Sequence, residues 1–221
     1  MIAFLAAELG DWRKRHMRKT VCLAAAFLAL AGLIGPLQPL ILALASTLIF
    51  IAAAWSEGLN PPSESGFRVD PQTFPAKSAD ISAGKALSSL ALWIGLIFAL
   101  SPILAASAIA WGIPAGTTLL CLLCWLSAYL LASSINFLSK LLFARTEGLV
   151  GLSLYSLWLF SSFFSAGLEP TNPFIQIRGI LKLEGGRAPI ACICAEMGAA
   201  AAVFACAALV LGFKKGRSRD A

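Results

Sequence analysis

The chain has 221 residues, of which 59% are hydrophobic and 13% charged, and its mean hydropathy is +0.83. Soluble domains average about 45–50% apolar and about 25% charged residues, and a chain this short cannot bury so much apolar surface in one core. The composition therefore excludes an ordinary soluble protein. The net charge of +6 requires no nucleic-acid partner, because basic residues that flank membrane spans meet anionic lipids of the inner leaflet.

Long apolar runs predict an all-α integral membrane protein, since about 20 helical residues cross the hydrocarbon core. We expect a single domain over residues 1–221 with six transmembrane helices. The first two form a tight hairpin with Pro36 and Pro39 at the turn. The predicted spans are 20–36, 39–56, 86–110, 115–138, 148–168 and 189–213.

The distribution of Lys and Arg predicts the orientation of these spans. Fourteen of the 17 basic residues fall on the side of the N-terminus and three on the other, which is a strong positive-inside signal. We therefore expect a multi-pass protein of the cytoplasmic (inner) membrane with both termini in the cytoplasm. The loop 57–85 is then cytoplasmic and the loop 169–188 extracytoplasmic. The basic stretch before the first span does not indicate a cleavable signal peptide, because five more spans follow. If it has a signal role, we expect it to act as an uncleaved anchor.

The pattern of apolar and charged residues in 1–19 predicts an amphipathic helix that lies along the inner membrane surface. Ile2, Leu5, Leu9 and Trp12 recur at steps of three and four residues, and charged side chains fall on another face. The expected anchors at the inner interface are Trp12, Arg15 and Lys85. A solvated helical tail is the alternative.

The loop 57–85 begins with the irregular sequence "NPPSESG" and becomes compatible with a short helix after Pro75. Such a helix could lie flat at the inner interface and contact a cytoplasmic partner; a solvated connector is the alternative. The dipeptide Gly84-Lys85 does not belong to a phosphate-binding loop. That motif requires glycine where Ala79 stands and Ser or Thr where Ala86 stands.

The order of these features resembles the membrane-spanning permease subunits of type-2 ATP-binding-cassette (ABC) transporters, along nearly the whole chain. An acidic residue and glycine follow the second span, although without the spacer residue of the family. A proline, a short polar helix and Gly-Lys then open the third span. The polar connection between the fourth and fifth spans is also similar to that of the family. So is the end of the fifth span, where small residues are followed by proline and a short re-entrant or surface helix. The segments concerned are Glu57-Gly58, Pro75 to Lys85, "INFLSKLLFARTEGLVG" (135–151) and "SAGLEPTNPFIQIRGIL" (165–181).

The resemblance implies an ATP-driven exporter in which two permease copies, as a homo- or heterodimer, pair with two cytoplasmic ABC ATPase subunits. The implied coupling helix is 75–84, with Pro75, Lys77, Ser78, Asp80 and Ile81 as the ATPase-coupling residues. ATP and Mg²⁺ would bind the partner subunit, so that no catalytic, cofactor or metal residue is expected in this chain. A narrower alternative is the haem-exporter permease of cytochrome c maturation, although the Pro-rich fifth span expected there is lacking.

Glu196 is the one carboxylate inside a predicted span, roughly 10 Å along its helix. A charge at that depth costs at least about 2.5–3.5 kcal/mol. Glu196 should therefore be protonated, paired or facing a wet cavity. It is either a group that lines a substrate path or gate, or a structural polar contact.

The chain has six cysteines and one histidine, His16. Cys121 and Cys124 have the C-x-x-C spacing that membrane thiol oxidoreductases use. A membrane thiol oxidoreductase is therefore an alternative function for this chain. However, all six cysteines lie in apolar spans, where free cysteine acts as a small hydrophobe, and no nearby base would activate a thiol. A membrane scaffold without transport activity is a third alternative.

Overall fold

The computed structural model describes residues 1–15, 39–56, 74–143, 149–162, 164, 171–181 and 188–217. The regular structure of these residues is helical. In chain order the helices are α1 (Ile2–Arg15), α2 (Pro39–Ser56), α3 (Ser78–Ala110), α4 (Ala115–Leu142), α5 (Leu149–Ser162), α6 (Pro173–Leu181) and α7 (Ala188–Arg217).

Three helices in the described part of the chain are long and apolar enough to cross a bilayer. They are formed by Ser78–Phe98 within α3, Ala115–Leu142 and Ile190–Gly216. These helices indicate a membrane protein. The count of six spans stays a prediction, and the first expected span, 20–36, lies outside the described residues. So do Glu57-Gly58 and the rest of 57–73 in the first cytoplasmic loop, and 169–170 and 182–187 in the loop 169–188.

The largest difference from the sequence-based bounds is in α3. A separate helix was expected at 75–84 and a span at 86–110, but the structure has one helix of 33 residues that begins at Ser78. Pro75 disfavours the helical conformation mainly at the residue before it, so the helix can begin at Ser78, and Gly84 does not interrupt it. Pro102 lies inside the same helix. The expected coupling helix is therefore the first turns of α3, preceded by a short turn at 74–77.

Helix α4 is the centre of the bundle, and α2, α3, α5, α6 and α7 all pack against it. Its side chains are mostly buried along its length. The aromatic core includes Tyr129, which is 1% exposed, and Trp125, which stacks on Phe50 of α2 with ring centroids 5.4 Å apart. This one helix therefore sets the position of nearly every other element.

Polar side chains of α4 bind the neighbouring helices. Trp125 Nε1 donates to Thr47 Oγ1 of α2 at 3.0 Å, and Asn136 Nδ2 donates to the carbonyl of Ala54 at 3.2 Å. The hydroxyls of Ser89 in α3 and Ser133 lie 2.6 Å apart. Hydrogen bonds of this kind hold helices together where the surroundings are apolar and a hydrophobic driving force is absent.

A second buried cluster lies where α1, the start of α3 and the ends of α4 and α7 meet, which we call the α1 end of the bundle. It contains Phe4, Ile81, Phe137, Leu141, Phe204, Ala207 and Leu211. Helix α1 packs inward through Phe4, which is fully buried, while Ile2 is 76% exposed. The face that contacts the bundle thus differs from the apolar face predicted from residue spacing.

Candidate functional site

Residues 74–84, which we call the 74–84 segment, combine an exposed outer face with a buried inner face. Pro75 and Lys77 are exposed, and Ser78 and Asp80 are partly exposed. Ile81 is fully buried in the cluster at the α1 end. Of the five coupling residues expected from the sequence, four can therefore be reached from outside the molecule, whereas Ile81 anchors the segment to the bundle.

Gly84 allows α1 to approach α3 closely. A Cβ atom at this position would lie 3.0 Å from Cδ1 of Phe4 and 3.4 Å from the carbonyl oxygen of Met1. The ring of Phe4 also meets the ring of Phe74 edge to face, with centroids 5.2 Å apart. The glycine of the Gly84-Lys85 pair thus serves helix packing, and Lys85 beside it is half-buried.

The C-terminal end of α7 holds the 74–84 segment from another side. Lys215 Nζ donates to the carbonyl oxygens of Phe74 at 2.6 Å and Ala76 at 2.8 Å. Ser82 Oγ donates to the carbonyl of Phe204 at 2.6 Å. The adjacent Lys214 donates to the carbonyl of Leu141 at the end of α4. The segment is therefore bonded directly to α7.

Glu196 lies at the centre of a second polar group, which we call the Glu196 cluster. Its side chain is 3% exposed. One carboxylate oxygen accepts a hydrogen bond from Ser127 Oγ of α4 at 2.5 Å, and the other accepts one from Gln176 Nε2 of α6 at 2.9 Å. These donors offset part of the cost of burying the carboxyl group. Glu196 therefore joins three helices.

Gln176 also connects the cluster to the C-x-x-C pair. Its Oε1 accepts a hydrogen bond from Cys124 Sγ at 3.3 Å.

Asn172 fixes the start of helix α6. Its Oδ1 accepts a hydrogen bond from the backbone N–H of Phe174, and its Nδ2 donates to Ser162 Oγ at 2.7 Å. Such a cap fixes where a helix starts. The short helix expected after the fifth span is thus buried among α2, α4 and α7 on one face.

An apolar cavity of about 250 Å³ lies between α2, α3 and α4, and Leu181 at the end of α6 also lines it. Its walls include Ala43, Ile97, Leu104, Trp111 and Trp125, and Cys121 also faces it. Cys121 and Cys124 are both buried, free thiols. One thiol of the pair therefore borders the cavity and the other binds Gln176.

Sequence reasoning identified Glu196 but missed Ser127 and Gln176. The available signal was that Gln176 is a polar residue in the apolar stretch "PFIQIRGIL", and that Ser127 occurs within a predicted span. Trp12 and Arg15, the expected interface anchors, belong to α1, but their side chains lie outside the described part of the structure.

The two polar groups lie on one helix. Glu196 and Lys215 of α7 are separated by about 28 Å at 1.5 Å rise per residue.

No family model, no curated protein and no solved structure matches the chain.

Proposed function

We propose that this chain is the permease subunit of an ATP-driven ABC exporter of the inner membrane. In this proposal six helices span the membrane, both termini are cytoplasmic, and two permease copies work with a pair of cytoplasmic ATPase subunits. The observation that carries the proposal is the construction of the 74–84 segment. Its outer face, with Pro75 and Lys77, is exposed, and its inner face is bonded to the bundle.

A coupling element has to meet a partner on one side and pass a displacement to the membrane helices on the other. The buried side chains of Ile81 and Phe4 and the hydrogen bonds from Lys215 supply the second property. Because protein interiors are close-packed, a displacement of such an anchored segment moves the helices that hold it. The exposed Lys77 supplies a charge for recognition of the partner.

The mechanism follows from the continuity of α3. Residues 78–84 of the segment and the apolar part of α3 form one helix of 33 residues, about 50 Å long at 1.5 Å per residue. Closure of the ATPase pair on ATP would tilt this helix together with α7 and open a path between the two permease copies. ATP and Mg²⁺ would act on the partner subunit.

Co-purification of charge-reversal variants tests this proposal. Lys77→Glu alters the exposed face of the segment, and Arg178→Glu alters an exposed residue of α6 as a matched control. We expect the unmodified protein and the Arg178→Glu variant to be isolated from native membranes with a subunit that carries a Walker A loop and an ABC signature. Lys77→Glu should recover at least several-fold less of that subunit. Isolation of all three proteins without an ATPase would contradict the proposal and favour the scaffold.

The thiol oxidoreductase alternative requires Cys121 and Cys124 to exchange disulfides with a partner. Both thiols are buried, and Cys124 is engaged with Gln176, which weighs against it. Replacement of both residues by alanine should therefore leave recovery of the ATPase subunit unchanged. If it abolished a cellular function of the protein while ATPase recovery stayed intact, the redox role would gain support.

A further inference from the structure

We propose that α7 couples the 74–84 segment to the Glu196 cluster, and that Lys215 is the positioning residue at the segment end of this connection. The coupling itself is a property of the fold. Its use in opening a transport path rests on the function proposed above.

The segment end of the connection consists of three contacts between α7 and the 74–84 segment. The ammonium group of Lys215 bonds two carbonyl oxygens of the 74–77 turn, and Ser82 bonds the carbonyl of Phe204. Ser78 Oγ also lies against Gly212, where a Cβ atom would come within 3.3 Å of it. Charge-assisted hydrogen bonds are about twice as strong as neutral ones, so Lys215 is the strongest of these ties.

The other end of the connection is the pair of hydrogen bonds at Glu196. A rotation or shift of α7 displaces this carboxyl group from Ser127 of α4, from Gln176 of α6, or from both. Both bonds are short-ranged and buried, and a buried polar group without a partner is costly. The cluster therefore favours one position of α7, and a movement imposed at Lys215 works against that preference.

The lysine pair at the end of α7 provides a matched comparison. Lys214 and Lys215 carry the same charge and are adjacent, but Lys214 binds the end of α4, whereas Lys215 binds the 74–77 turn. Methionine at either position keeps an apolar stem of similar length and removes the ammonium group. A difference between the two variants therefore reports the contact with the turn and not the loss of charge.

The experiment measures the rate at which N-ethylmaleimide modifies Cys124 in the full-length protein in lipid nanodiscs, by mass spectrometry of peptides. Cys124 reports the Glu196 cluster because its thiol binds Gln176. We expect Lys215→Met to raise this rate about 5-fold or more, the lower bound of ordinary coupling between sites. Lys214→Met and Lys215→Arg should stay within about 2-fold of the unmodified protein. Ser82→Ala, which removes the second tie, is the substitute if Lys215→Met does not fold.

A double variant separates coupling from general loosening. Residues about 28 Å apart normally act independently, so that the effects of Lys215→Met and Glu196→Gln on the rate would multiply. Coupling through α7 predicts that the double variant reacts clearly more slowly than this product. A multiplicative result, or equal effects of the two lysine variants, would overturn the inference. No ATPase is present in this experiment, so its outcome is independent of whether Lys77→Glu affects ATPase recovery.

Discussion

Ser127 of α4 and Glu196 of α7 are joined by a hydrogen bond of 2.5 Å between a hydroxyl and a carboxyl group. Both residues occur on helices that are long and apolar enough to cross a membrane. A carboxyl group in such a place is expected to be paired and to carry a function. The pairing places Glu196 inside the bundle, next to α6, and not on the surface that faces lipid.

Substitution of Glu196 should destabilise the protein by an amount that depends on what remains of the hydrogen bonds. Glu196→Ala removes the acceptor of the hydrogen bond from the Gln176 amide and leaves the Ser127 hydroxyl only the carbonyl of Cys124, 2.9 Å away, which we expect to cost about 1–3 kcal/mol. Glu196→Gln keeps one acceptor oxygen and should cost about 1 kcal/mol or less. Unfolding in mixed micelles measures both changes. Cys194→Ala on an exposed position of the same helix is the control, and equal losses for all three variants would contradict the role of the cluster.

Gly84→Ala should loosen the contact between α1 and α3. The added methyl group would meet Cδ1 of the buried Phe4 at 3.0 Å and the carbonyl oxygen of Met1 at 3.4 Å, so the ring of Phe4, and with it the contact of α1, has to give by a few tenths of an ångström. We expect faster hydrogen exchange at the amides of α1, measured by mass spectrometry. Gly95→Ala in the same helix meets nothing within 4 Å and should be neutral or stabilising by up to about 1 kcal/mol. Unchanged exchange in the Gly84→Ala variant would show that α1 is not held by this contact.

The hydroxyl pair of Ser89 and Ser133 predicts an asymmetry between single and double substitutions. Ser89→Ala or Ser133→Ala alone leaves one buried hydroxyl without its partner, which costs about 1 kcal/mol or more. Replacement of both by alanine removes donor and acceptor together and should be closer to neutral. A double-mutant cycle on the free energy of unfolding measures this difference. Simple addition of the two single effects would show that the hydroxyls do not interact.

Apolar run lengths predicted several helices closely. The second expected span has the bounds of α2, and α4 and α7 exceed their predicted spans by only a few residues. The fifth, expected at 148–168, has a described helix of 14 residues, α5. Hydropathy could not predict that residues 78–84 are continuous with the third span, because Asp80 and Lys85 lie outside the apolar run although they belong to the same helix.

The Glu196 cluster shows what residue spacing leaves undetermined. A lone carboxyl group in an apolar run signals that a partner must exist, but not which helix supplies it. Ser127 and Gln176 are 69 and 20 residues away in sequence, and only the three-dimensional packing of α4, α6 and α7 brings them together. The contacts of Lys215 are equally nonlocal, so the connection between the two polar groups could not be derived from the sequence.

The most direct measurement of the central claim is photo-cross-linking from position 77 in intact cells. A photoreactive amino acid replaces the exposed Lys77, and cross-linked products are identified by mass spectrometry, with position 178 as the comparison. We predict that position 77, and not position 178, captures a cytoplasmic subunit that contains a Walker A loop and an ABC signature. Labelling of position 77 by a membrane-impermeant reagent from outside the cell, or its failure to capture any ATPase, would contradict the account.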